Sequence, residues 1–227
     1  MLSLELFAPA FLAVKNGFAL TVLISIVSFV VGQVLALPLA LALTSTSRLL
    51  RFTVSTYTFL IRGSPLLVQL FIVYYGLGQI EAVRHSFLWP VLRSPIYCAI
   101  LAIGLNSAAY SAELLAGAIR QIPQGQSEAG SALGLHRGAL LLKILLPQAY
   151  RAILPPIGNE LVLVMKGSTL ASAVTVMEMT GAARVFVARS YAPFETFLIA
   201  GTIYLLMGAV LGRVFKFIEM RAAIPGR

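Results

Sequence analysis

The sequence predicts an all-α membrane protein of five transmembrane helices, with one cytoplasmic helix between the third and the fourth. Three observations predict it. Of 227 residues, 59% are hydrophobic and 11% charged, too few polar groups to coat a soluble globule. Charge-poor stretches recur at the length of roughly 20 residues that a hydrocarbon layer of about 30 Å demands. They are interrupted by one polar island, where Gln121, Gln124, Gln126, Ser127, Glu128, His136, Arg137 and Lys143 stand between Pro123 and Pro147. That island reads as a short amphipathic helix outside the bilayer, with Leu133, Leu135, Leu141 and Leu142 free to face other protein.

In chain order, residues 1–15 hold Glu5 and Lys15 among apolar neighbours and read as a short exposed lead-in. Ala40-Leu41-Ala42 imitates a signal-peptidase site, but the apolar run before it is too long and lacks a basic start. The first span is the charge-free run 18–43, which Pro38 can kink. A short basic loop, 45–51, carries Arg48 and Arg51. The second span starts near Phe52, breaks at Arg62-Gly63-Ser64-Pro65 and resumes over 66–76, with Tyr74 and Tyr75 placed like interfacial aromatics. A mixed loop, 77–94, leads to the third span at about 95–119. The fourth span starts near Tyr150 and carries Pro155-Pro156. Residues 168–194 read as a weakly amphipathic segment at the far membrane face. The fifth span covers about 196–214, and its Gly208-x3-Gly212 reads as a small-residue packing face.

Loop charge sets the expected orientation. Arg48, Arg51, Arg120, Arg137, Lys143, Arg151, Arg213, Lys216, Arg221 and Arg227 gather on one side. The other side has Lys15, Arg84, Arg93, Arg184 and Arg189, diluted by Glu5, Glu81, Glu178 and Glu195. The basic side is cytoplasmic by the positive-inside rule, so the N-terminus is expected outside and the C-terminus inside. The net charge of +9 is therefore topological. It forms no basic stripe, and membrane lipid rather than nucleic acid is the expected contact.

Several chemistries are excluded. A lone cysteine, Cys98, rules out an intrachain disulfide and reads as a buried thiol. His85 and His136 are isolated, so no metal site is expected. No serine stands in a triad-like context, so hydrolysis has no support and no catalytic residue is expected. Lys166-Gly167-Ser168 has the letters of a phosphate loop in the wrong order. Any ATPase must be another chain.

Three charges lie deep inside spans, where each costs about 2.5–3.5 kcal/mol. At about 1.5 Å per residue, Glu113 lies roughly 12 Å, Glu160 roughly 14 Å and Arg62 roughly 16 Å from the cytoplasmic ends of their spans. They converge near mid-membrane beside Pro65 and Pro155-Pro156, whose freed carbonyls can face a cavity, the usual setting of a polar-substrate site. Asn106 and Tyr110, four apart, share one helix face and either line such a cavity or bond a neighbour. A structural alternative pairs Glu113 or Glu160 with Arg62.

Family resemblance enters at the polar island. Glu128-Ala129-Gly130, three residues, Gly134, nine residues, then Ile144-Leu145-Leu146-Pro147 resembles the cytoplasmic coupling loop of permease subunits in ATP-binding-cassette importers. Gly130 departs from the usual Ala. The resemblance assigns ATPase coupling to Glu128, Ala129, Gly130, Gly134, Leu135, Ile144 and Pro147. Arg62-Gly63-Ser64-Pro65 resembles the Arg-Gly-Thr-Pro signature of the polar amino acid permeases, with Ser64 for Thr. Two further blocks, Asn106 to Glu113 and Asn159-Glu160 with Lys166 to Leu170, are also similar. They extend the substrate-binding set to Glu160, Glu113, Asn159, Asn106, Tyr110, Arg62 and Ser168. The nearest likeness is to M-type subunits for arginine, ornithine and histidine.

This resemblance implies a type I importer permease fold, here a single domain over residues 1–227, in a bacterial inner membrane. It also implies a second permease subunit, identical or not, two ATP-binding subunits holding ATP and Mg, and a periplasmic amino acid-binding protein. Two intramembrane carboxylates against one arginine suit a cationic amino acid. The rival is a self-sufficient ion-coupled carrier or channel using Glu113 and Glu160, or, more weakly, an assembly factor. Five spans without an internal repeat make only half of a pseudo-symmetric carrier.

Overall fold

The computed structural model describes residues 4–222, so Arg227 of the basic tail lies outside the described residues. Helix α1 (Phe7–Asn16) buries Ala10 and Val14. It meets α2 (Phe18–Leu43) at Gly17, where an added Cβ would collide with the backbone of Glu178 and Met179. The expected exposed lead-in is thus a packed helix, and 7–43 forms one long apolar stretch. Glu5 and Lys15 made it look polar, but they frame two buried positions four apart, the spacing of one helix face.

Helix α3 (Arg48–Gly63) starts at Ser47, whose Oγ accepts the Leu50 N–H at 3.5 Å. Helix α4 (Leu66–Phe71) continues through a widened turn, Ile72–Gly76, to Gln79. The two limbs of this second span bend by 107° at the break. Pro65 has no N–H to continue α3 and pushes Ser64 into extended backbone, φ −113° and ψ 149°. The interruption is therefore a sharp corner, where the sequence suggested one span resumed in line. Two short helices, α5 (Glu81–Arg84) and α6 (Trp89–Leu92), punctuate the loop before α7 (Pro95–Gln121).

Helices α2 and α7 are the central pair. Their contact line is built from small residues: Ser25, Ser28, Gly32, Ala36 and Ala40 against Ala108, Ser111, Ala112 and Ala116, all buried. An added Cβ on Gly32 would come within 2.8 Å of Ser107 Cβ. Such close approach is how helices associate where lipid removes the hydrophobic incentive. The expected seam at Gly208 and Gly212 is not used within this chain. Nothing lies within 4 Å of a Cβ on Gly212, and only Met165 and Val162 approach one on Gly208.

Helix α8 (Gln124–Ala132) is followed by α9 (Arg137–Leu140), which runs through a second widened turn, Leu141–Leu145, into α10 (Leu146–Gly167). The fourth span accordingly begins at Arg137, not near Tyr150. Pro147 in the first turn of α10 cannot donate to the preceding turn, which accounts for the local widening. Helices α11 (Met179–Ser190) and α12 (Pro193–Ala222) close the fold. Four stretches, Phe7–Leu43, Pro95–Gln121, Arg137–Val174 and Pro193–Arg221, are long and apolar enough to cross a membrane, and the bent pair supplies a fifth.

Glu178, expected as a loop charge, is fully buried. Its carboxylate accepts from the N–H groups of Thr180 at 2.9 Å and Gly181 at 2.8 Å, capping α11, and from Tyr204 Oη at 2.7 Å on α12. Thr21 Oγ1 on α2 accepts the Met179 N–H at 3.0 Å. This capping carboxylate ties three elements at one end of the bundle.

Candidate functional site

Glu160 projects from α10 beyond the Pro155-Pro156 pair, which leaves carbonyls of the preceding turn without N–H partners. It is 6% exposed. No ion pair reaches it among the described residues. It lines a cavity of about 230 Å³ together with Asn106 and Tyr110 of α7, Leu66 of α4 and Leu163 and Val164 of α10. Three of the sequence-expected residues thus share one chamber.

Arg62 and Glu113 stand beside it. The Arg62 guanidinium lies 5.3 Å from the Tyr110 ring centroid, and Tyr110 Oη donates to the Arg62 carbonyl at 3.4 Å. Arg62 Nη1 is 3.9 Å from Glu113 Oε1, with the two side chains 44% and 27% exposed, while Thr58 Oγ1 donates to Glu113 at 2.7 Å. Of the two possible partners for Arg62, the structure selects Glu113. The pair is long and open, so its charges can exchange partners with a ligand at little cost.

Two expected residues lie elsewhere. Asn159 is on an exposed face of α10 and does not line the cavity. Ser168 is fully buried, with its hydroxyl donated to the Met165 carbonyl at 2.7 Å. Gln69, not among the expected site residues, joins the bend to the cavity. Its Nε2 donates to the Ile61 carbonyl at 2.7 Å and the Ser64 carbonyl at 3.0 Å, and its Oε1 accepts from Asn106 Nδ2 at 3.0 Å. A long amide four residues past Pro65 was the available signal, because a broken helix leaves carbonyls that need a donor.

The polar island builds a second feature. Helix α8 ends in a Schellman turn, with Leu135 N–H to Gly130 carbonyl and Gly134 N–H to Ser131 carbonyl, both at 3.0 Å. Gly134 takes φ +76°, and nothing lies within 4 Å of a Cβ built there. Its glycine therefore serves the left-handed turn rather than close approach of a backbone within the chain. Gly130 is buried, and a Cβ there would meet Leu140 Cδ1 at 2.5 Å, with Ile144 and Leu135 around it. The turn folds α8 back on α9, leaving Glu128 and Ala129 exposed and Leu133 and Leu142 at 81% and 65% exposure. Pro147 is exposed at the start of α10.

Residues 32–224 match the family of binding-protein-dependent transport system inner membrane components. The chain is 46% identical to the octopine transport system permease protein OccM of Rhizobium meliloti, over 92% of this chain and 85% of the relative. It is 39% identical to the arginine ABC transporter permease protein ArtM of Haemophilus influenzae, over 92% and 91%. It is also 39% identical to the histidine/lysine/arginine/ornithine transport system permease protein HisM of Escherichia coli, over 91% and 87%. A crystal structure of an amino acid ABC transporter with histidines superimposes at a TM-score of 0.84 and 27% identity, covering 97% of this chain and 99% of that one. The MetNI methionine ABC transporter, at 18% identity and a TM-score of 0.78, shares the fold. These relatives are transport permeases rather than enzymes, and nothing among them favours a self-sufficient carrier or channel. The chain belongs to the binding-protein-dependent transport system inner membrane components and is a multi-pass permease subunit with the type I importer fold.

Proposed function

We propose that this subunit carries amino acids with a cationic, guanidinium-type side chain across the bacterial inner membrane, and that Glu160 meets the cation. The observation that carries this is the cavity itself, with a nearly buried carboxylate unpaired by any cation among the described residues, beside Asn106 and Tyr110. An ionised carboxylate in that setting is solvated, paired or offered to a ligand, and no cation pairs it among the described residues. The substrate's carboxylate would be received at Arg62, whose pairing with Glu113 is loose. Relatives named for octopine, nopaline and arginine favour this chemistry, since all three compounds carry a guanidinium group.

In this reading the chain works with a second permease subunit, a periplasmic binding protein and two ATPase subunits that hold ATP and Mg. Glu128, Ala129, Leu133, Leu135 and Leu142 on and after α8 form the contact with one ATPase, and Ile144 and Pro147 fix how that contact joins α10. The side carrying α8 and the C-terminus is cytoplasmic, as the arginine and lysine distribution supports. Affinity purification in detergent tests the assignment. An ATP-hydrolysing subunit should accompany the tagged chain, and arginine uptake into vesicles should require ATP. A chain that purifies alone and moves arginine on an ion gradient would contradict it.

A further inference from the structure

We propose that a basic cavity, separate from the chamber at Glu160 and at the membrane side that carries α8, binds the phosphodiester headgroup of an anionic phospholipid. The cavity measures about 470 Å³ and is lined by Arg48, Arg51, Phe52 and Ser55 of α3, Leu43 at the end of α2, and Glu113 and Arg120 of α7. Three guanidinium groups therefore converge on it. The single carboxylate present, Glu113, already accepts from Thr58 and faces Arg62. Arg120 is held by the Leu43 carbonyl at 2.8 Å, and Arg51 reaches the Ser45 carbonyl at 3.5 Å. Both bonds are to neutral acceptors, so no acidic side chain answers Arg48, Arg51 or Arg120 among the described residues. Like charges gathered in one pocket repel, and an oxyanion able to accept from several forks at once relieves that repulsion.

The surroundings select a lipid over a free anion. Its Arg48, Arg51 and Arg120 stand where α2 and α7 end and α3 begins, the level at which polar headgroups lie. Phe52 is 71% exposed on its wall, and Phe59 is 75% exposed two turns along α3. These two aromatics, seven residues apart, share one helix face leading from the arginines toward the apolar layer. A bound phospholipid would place its phosphate among the arginines and an acyl chain along Phe52 and Phe59.

The test is native mass spectrometry of the full chain, purified with its accompanying subunits and exposed to dioleoyl phosphatidylglycerol or dioleoyl phosphatidylcholine. The expected result is preferential retention of phosphatidylglycerol. That retention should fall by at least about tenfold in Arg48→Gln/Arg51→Gln and stay unchanged in the control Arg213→Gln/Lys216→Gln, which removes the same charge from α12. Arg48→Lys/Arg51→Lys, which keeps the charge but loses the bidentate fork, should retain less than the unaltered chain and more than the glutamine pair. Should the glutamine pair not fold, the lysine pair carries the comparison. Equal retention of both lipids, an equal loss in the control, or no loss in either arginine pair would overturn the proposal. Displacement of the lipid by millimolar inorganic phosphate would also overturn it, since the site would then be one for a free anion.

Discussion

Glu160 is 6% exposed on a chamber that also presents Asn106 and Tyr110, and most of the functional reading depends on what its carboxylate meets. Glu160→Gln removes the charge at nearly constant volume. A charge-assisted hydrogen bond is worth about 1.5–3 kcal/mol, so half-saturation for arginine uptake should worsen roughly ten- to hundredfold. Uptake of citrulline, with the same length and no charge, should change far less. Equal losses for both at normal expression would remove Glu160 from cation recognition. Because Arg62 pairs with Glu113 rather than Glu160, the substitution strands no buried arginine, and expression should hold. These charged residues were legible in the sequence because ionisable groups inside spans are rare and need a reason. Which carboxylate took Arg62 was not legible, since depths along separate helices carry no information about their azimuths. Ser168 illustrates the same limit: its hydroxyl returns to its own helix, which spacing alone does not reveal.

At the level of elements, α8 and its turn were readable as a unit, because a glycine after a polar helix between prolines is a termination signal. The reason for Gly134 was not readable: only the backbone shows φ +76° with open space around it. Gly134→Val places a β-branched residue in the left-handed region at a cost of about 1–3 kcal/mol. It should redirect α9 and release the accompanying ATPase, so co-purification and substrate-stimulated ATP hydrolysis should both fall while membrane insertion persists. Gly134→Asn, which tolerates that backbone, should keep most of both. Normal hydrolysis in the valine variant would separate the turn from coupling. The small-residue line of α2 was overlooked because charge-free runs look uniform, although Ser28, Gly32, Ala36 and Ala40 already stand four apart. The second span's corner was half legible: Pro65 marked the break, but the 107° turn depends on Gln69 satisfying the freed carbonyls.

For the whole molecule, five spans with an uneven charge distribution set a topology. An impermeant maleimide applied to intact cells, in a Cys98→Ala background, should label a cysteine placed at Ser86 and not one placed at His136; the reverse pattern would invert the assignment. Span count and the polar island were legible from composition and charge, whereas the packed N-terminal helix and the Glu178 junction joining α2, α11 and α12 arise from contacts remote in sequence. The central claim is that a cationic amino acid occupies the chamber between α4, α7 and α10. Leu163 lines that chamber and is 51% exposed, so Leu163→Cys in the Cys98→Ala background gives a reporter on its wall without removing a polar contact. The direct measurement is the rate at which a small thiosulfonate modifies this cysteine in the purified complex, with saturating arginine or with citrulline. Modification should slow at least about fivefold with arginine and little with citrulline, as expected for a site that holds the cation. The same rate with and without arginine would contradict the account.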